Sequence, residues 1–108
     1  MKREEALKIY DELIAGHPEI ERKGKNNPYT SLNGNMFTFL DKEGFISFRM
    51  SKEDQAMVRE SHGVTESIQY GSVMRDYVKI PMELLSNSEL MGNFLELSLK
   101  HAKTLKAK

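Results

Sequence analysis

Apolar residues recur along the chain at two distinct periods. From Arg3 to Ala15 they fall at Ala6, Leu7, Ile9, Tyr10, Leu13 and Ile14 with charged residues between, the spacing that makes one side of a helix apolar. Gly16 and Pro18 follow and predict its end. From Asn35 to Met50 the period drops to two. Two aromatic-rich runs flank Asp41-Lys42-Glu43-Gly44, which predicts a β-hairpin turning on that tetrad. If Leu40 faces Phe45, then Phe39 faces Ile46, Phe37 faces Phe48 and Asn35 faces Met50. This places Phe37, Phe39, Ile46 and Phe48 together on one face. A slip of one residue sets Phe39 against Ser47 and Phe48 against Thr38, so apolar pairing favours the first register.

Between these patterns, Glu21 to Asn35 is poor in apolar residues and reads as a long connection, with Tyr29 and Leu32 as anchors. After the hairpin, Ser51-Lys52-Glu53-Asp54 predicts a helix start with Ser51 as N-cap and acidic residues in the first turn. That helix is expected from Lys52 to about Ser61, closing at His62-Gly63. Val64 to Tyr70 then reads as a weak strand, Gly71-Ser72 as a turn, and Val73 to Ile80 as a stronger strand. In the last of these Met74, Asp76, Val78 and Ile80 share a face, so Asp76 is out of place. It needs either Arg49 or Arg75 as a partner or a position at a strand end or sheet edge with access to water. Pro81 opens a short helix over Met82 to Leu85. Ser86 and Glu89 are spaced as a capping box for a long final helix, whose stripes carry Leu90, Phe94, Leu97 and His101, with Met91, Leu95, Ser98, Ala102 and Leu105 beside them.

Composition narrows the chemistry. At 108 residues the chain is expected to form one domain, 1–108, with a core that needs no metal or disulfide. It has no cysteine, which excludes thiol catalysis and Cys-based zinc sites. Sixteen basic and sixteen acidic residues cancel, so nucleic-acid binding would need a local patch. Three histidines, His17, His62 and His101, lie far apart in the sequence, and no serine sits in a Gly-x-Ser-x-Gly elbow. No cofactor is expected. No apolar run reaches the roughly 20 residues of a membrane helix, and the first residues carry no apolar signal core. A cytoplasmic protein without membrane contact is the expectation.

The run Pro28-Tyr29-Thr30-Ser31-Leu32-Asn33-Gly34-Asn35-Met36-Phe37, the alternation through Phe48-Arg49-Met50, and above all Met74-Arg75-Asp76-Tyr77-Val78-Lys79-Ile80-Pro81-Met82-Glu83-Leu84-Leu85 resemble the N-terminal domain of the TfoX/Sxy family. The family's paired glycines after Met-Phe are replaced here by Thr38-Phe39. The resemblance implies an α+β fold, an antiparallel sheet flanked by helices, and a role that is regulatory or unassigned, with no agreed active site and so no catalytic residue carried over.

Together these readings predict an α+β domain whose antiparallel sheet of about four strands is flanked by N-terminal and C-terminal helices. The leading function is a non-enzymatic regulatory or protein-binding module, with self-association as a homodimer through the sheet face bearing Phe45 and Tyr77. Its candidate binding residues are Lys25, Asn26, Tyr29, Asn33, Arg75, Asp76 and Tyr77. An alternative is a nucleic-acid-binding accessory role through Arg22, Lys23, Lys25 and the lysines at 100, 103, 106 and 108. A third reading is a small-ligand or enzyme site around Asn26, Tyr29, Asn33, Arg75 and Asp76.

Overall fold

The computed structural model describes residues 2–69 and 72–108. Helix α1 (Arg3–Ala15) is followed by strands β1 (Tyr29–Leu32), β2 (Asn35–Leu40) and β3 (Ile46–Arg49), then helix α2 (Lys52–His62). Strands β4 (Thr65–Gln69) and β5 (Ser72–Lys79), a 3-10 turn over Met82–Leu84 and helix α3 (Ser88–Thr104) complete the chain. The strands form one sheet in the order β1-β2-β3-β5-β4, with every neighbouring pair antiparallel. The architecture is the expected α+β class. The sheet has one more strand than the apolar pattern suggests, because Tyr29–Leu32 lies within the polar connection yet pairs with β2. Its outer side is bridged at one point, where Lys23 and Tyr29 exchange backbone hydrogen bonds of 2.8 and 3.0 Å.

One apolar core collects residues from all three helices and one sheet face. Ala6, Tyr10 and Ile14 of α1, Val58 of α2, and Met91, Phe94, Leu95, Leu99 and Ala102 of α3 close on Phe37, Leu40, Ile46, Phe48, Met50, Val78 and Ile80. The α1 periodicity predicts this inward stripe. Tyr10 carries its hydroxyl into the core and bonds Thr38 Oγ1 at 2.6 Å, which in turn lies 2.6 Å from Thr30 Oγ1. Burial pushes the phenol well above the ordinary tyrosine range, so the group stays neutral and the network links α1 to β1 and β2.

The β2–β3 register differs by one residue from the one that apolar matching favours. Thr38 faces Phe48, Phe39 faces Ser47 and Leu40 faces Ile46. The turn explains the slip. Asp41 is the last paired residue rather than the first turn residue: its N–H donates to the Phe45 carbonyl at 2.9 Å. Its Oδ1 accepts from the N–H groups of Glu43 and Phe45 at 3.0 and 2.9 Å. Three residues, Lys42-Glu43-Gly44, then make the reversal, and Gly44 takes the positive φ of 98° that such a loop requires. A side chain at Gly44 would also meet the Arg3 backbone at 3.1 Å, so the start of α1 rests directly on this turn.

In the observed register Phe39 lies on the face opposite the core, against Tyr77, with ring centroids 5.2 Å apart. Phe37, Ile46 and Phe48 remain in the core. Phe37 keeps its place there because the β1–β2 pairing skips it: Thr30 faces Thr38 and Ser31 faces Met36. This bulge lets Phe37 and Thr38 both point toward the helices and resets the alternation.

Other local expectations are met or shifted for identifiable reasons. Ser51 caps α2 by accepting from the Asp54 N–H, and Gly63 ends it in the left-handed conformation. The last helix is capped by Asn87, whose side chain accepts from the Leu90 N–H, in place of the Ser86–Glu89 box. Asn is at least as good an N-cap as Ser, which moves the boundary by one residue. The turn expected at Gly71-Ser72 falls partly outside the described residues. Ser72 itself is paired with Gln69 as the first residue of β5.

Because Asp41 sets the register, Asp41→Ala is expected to remove two turn hydrogen bonds and lower stability by about 1–2 kcal/mol. Thermal unfolding should show a fall of roughly 4 °C or more. An unchanged midpoint would show that the turn does not depend on this carboxylate.

Candidate functional site

The sheet face turned away from the core carries Phe39, Tyr77, Arg49, Phe45, Lys79 and, at its margin, Asp76. Their arrangement follows from two interruptions in the sheet. Pairing between β2 and β3 ends at Thr38–Phe48, so the backbone of Met36 and Phe37 separates from that of Arg49 and Met50. On β5 the pairing with β4 jumps from Glu66–Val78 to Ser67–Met74, which leaves Arg75, Asp76 and Tyr77 without partners on β4. Asp76 therefore sits on a stretch of β5 that β4 leaves unpaired, with its side chain 50% exposed, while its carbonyl still accepts from the Met50 N–H at 2.9 Å. The carboxylate that looks misplaced in the sequence is placed in water by an irregular strand.

Arg49 ties the two interruptions together. Its Nη2 donates to Asp76 Oδ2 at 3.1 Å, its Nη1 donates to the Met36 carbonyl at 3.3 Å, and its guanidinium lies 5.8 Å from the centre of the Tyr77 ring. The Tyr77 hydroxyl donates to the same Met36 carbonyl at 2.7 Å. A carbonyl that loses its strand partner in a buried setting must find another donor, and here two side chains supply it. On the core side, Ser98 Oγ from α3 lies 3.0 and 2.5 Å from the carbonyls of Phe37 and Arg49 and shares its single proton between them. Beside this cluster Lys79 Nζ sits 4.5 Å over the Phe45 ring, a second cation–aromatic contact on the same face.

Burial raises the Tyr77 phenol to about 12, against the smaller opposing effect of Arg49. At neutral pH it is a hydrogen-bond donor with its proton fixed on Met36, which suits positioning and not proton abstraction. Arg49 is likewise committed to a carbonyl and a carboxylate. Phe39 and Tyr77 are buried, so the cluster presents a surface of mixed charge over a buried aromatic pair, with a geometry locked by backbone contacts.

The sequence-predicted residues fall into separate places. Asp76 and Tyr77 belong to this cluster, and Arg75 is exposed beside them on β5. Tyr29 lies on β1, which is separated from β5 by two strands, or roughly 14 Å across the sheet. Lys25 is exposed in the connection before β1, and the Asn26 carbonyl accepts from Arg3 Nη2 at 2.9 Å. Asn33 occupies the β1–β2 turn with a φ of 52°, and its carbonyl accepts from the Lys108 N–H at 2.9 Å. Asn26, Tyr29 and Asn33 thus do not converge with Arg75 and Asp76 on one site. Several of the basic residues are individually engaged: Arg22 with Asp11 at 3.1 Å, Lys103 with Glu19 at 3.0 Å, Lys100 with Asp54 at 3.8 Å and Lys23 with the Ser31 hydroxyl at 2.8 Å.

Met36 and Ser98 are the members that sequence reasoning passes over. Met36 acts through its carbonyl, to which side-chain identity gives no clue. Ser98 did leave a signal, as a hydroxyl in the middle of an apolar helical stripe. Among the described residues no group of three or more His, Asp and Glu side chains is arranged to hold a metal ion, and no helix is long and apolar enough to cross a membrane. No family model, curated protein or solved structure matches the chain.

The raised Tyr77 pKa fixes the sign of an alkaline effect. The unfolded phenol ionises near 10 and the folded one near 12, so between these values the folded state binds more protons and stability falls as pH rises. Absorbance titration of native protein is expected to keep Tyr77 neutral beyond pH 11. Tyr77→Phe should remove one late-titrating tyrosine, leaving that of Tyr10, and reduce the loss of stability between pH 10 and 12. Ionisation of Tyr77 near pH 10 in the folded state would contradict the buried, donating hydroxyl.

Proposed function

We propose that this chain is a non-enzymatic regulatory module that works through protein contacts, a relative of the N-terminal domain of TfoX/Sxy regulators, and that a second copy of itself is the partner its sheet face fits. The observation that carries this reading is the Phe45–Arg49–Asp76–Tyr77–Lys79 face, where Tyr77 is buried at 5% exposure and supports the partly exposed Phe45, Arg49 and Lys79 and the exposed Asp76. Phenylalanine and arginine are residue types enriched at protein interfaces. Its charges are of both signs, with Arg49, Arg75 and Lys79 beside Asp76. Charges of both signs on one face suit pairing about a twofold axis, in which Asp76, half exposed beside Arg49, meets Arg75 of the other copy. The polar atoms of Arg49 and Tyr77 are held in place before any partner arrives, which lowers the ordering cost of association. The separation of Asn26, Tyr29 and Asn33 from Arg75 and Asp76 favours this reading over a small-ligand site. The acidic and hydroxyl partners of Arg22, Lys23, Lys100 and Lys103 favour it over a nucleic-acid surface.

Sedimentation velocity from about 1 to 300 µM, a range that covers weak to moderate affinities, is expected to show a concentration-dependent shift toward a dimer. Asp76→Lys, which makes the margin uniformly basic, should weaken association by about tenfold or more, the equivalent of roughly 1.4 kcal/mol. A monomer throughout the range would remove the second copy as the partner. Low-salt binding of a nucleic acid that declines steeply with added salt would instead favour the basic-residue alternative.

A further inference from the structure

The segment after α3 does not run free across the surface. Leu105 leaves the helix with an extended backbone, φ −78° and ψ 144°, and the next residues lie on the end of the β1–β2 hairpin. Lys108 N–H donates to the Asn33 carbonyl at 2.9 Å, and Asn35 Nδ2 donates to the Lys106 carbonyl at 2.9 Å. The approach is close: a side chain on Gly34, which has a φ of 84°, would meet Lys108 Cβ at 3.0 Å. Asn35 is 4% exposed, so its amide needs the Lys106 carbonyl to satisfy a buried donor. The side chains of Lys106 and Lys108 themselves are exposed.

Asn35 also lies two residues before the interruption of β2 at Phe37. Met36 follows, with its carbonyl shared by Tyr77 and Arg49, and then Phe37, with its carbonyl on Ser98. Anything that holds Asn35 in place therefore holds the carbonyl on which the far face is built. We propose that Leu105–Lys108 is a conformational strap: docked on Asn33–Asn35 it fixes Met36 and so the placement of Arg49 and Tyr77, and released it loosens that face. The inference rests on the proposed contact face for its biological consequence and on the hydrogen bonds above for its mechanism. Two backbone-directed bonds, one from the buried Asn35 amide and one from the end of an exposed segment, with no ion pair on either strap lysine among the described residues, are few enough to open locally without global unfolding.

The test is amide exchange and chemical-shift mapping by NMR on the full chain at low concentration, comparing the parent with two variants. Lys108→Pro deletes the strap's donor without touching the hairpin. Asn35→Asp replaces the donating amide with an oxygen that faces the Lys106 carbonyl. The parent's Lys108 amide is expected to exchange at least about tenfold more slowly than an unprotected one. Both variants should raise exchange at Met36 and Phe37 and shift the Tyr77 ring and Arg49 Nε resonances, while Phe48 and Val78 in the core stay in place. An unprotected Lys108 amide in the parent would overturn the proposal, as would unmoved Arg49 and Tyr77 signals in Lys108→Pro. If the shifts appear and the protein is nevertheless a strict monomer, the strap stands and the self-association reading fails; the reverse pattern sinks the strap alone.

Discussion

The structure depends on how the sheet survives its own interruption at Phe37. A bulge at this residue lets both Phe37 and Thr38 face the helices, which gives the core one more large side chain than a regular strand could. The consequence is that β2 and β3 part beyond Thr38–Phe48, and the carbonyls of Met36, Phe37 and Arg49 lose the partners a continuous ladder would have given them. Buried carbonyls without donors cost on the order of 1–3 kcal/mol each. The fold supplies donors from both sides: Ser98 from the core, and Tyr77 and Arg49 from the opposite face. Each of these side chains is thereby fixed by the backbone, and the candidate contact surface is the outward half of the same repair.

Much of the fold was legible because it rests on repetition. The α1 stripe, the Ser51 cap and the Gly63 stop of α2, the hairpin around Asp41–Gly44 and the apolar face of α3 all follow from spacings that a helix or strand imposes. The register of the hairpin was not legible from apolar matching, because matching assumes unbroken alternation. Asp41 turned out to be a strand-end residue whose carboxylate binds the turn, and the bulge at Phe37 restored the burial that the register shift would have cost. Strand β1 was hidden for a related reason: Thr30 and Ser31 are polar, and Thr30 is buried only because it joins Thr38 and Tyr10 in a hydroxyl network. Such a network depends on residues 8 and 20 positions away, beyond the reach of a local pattern.

The candidate site was half visible. Asp76 stands out in the sequence as a charge on an apolar alternation, and Arg49 is a natural partner for it. Tyr77 also lies on the expected face. What spacing could not give is the convergence of Arg49 and Tyr77 on a single carbonyl, or the scattering of Asn26, Tyr29 and Asn33 over other parts of the molecule. Those residues serve turns and docking contacts, as Asn33 does in carrying the left-handed turn under Lys108.

The claim that Ser98 repairs the broken ladder is open to a measurement in which two physical effects have opposite signs. In the middle of a helix, serine to alanine is by itself favourable by about half a kcal/mol. If Ser98 Oγ is the donor for the Phe37 and Arg49 carbonyls, Ser98→Ala should instead lower the free energy of unfolding in urea by about 1–3 kcal/mol with an unchanged slope. A neutral or more stable variant would contradict the account, since it would mean that the separated strands need no donor from α3.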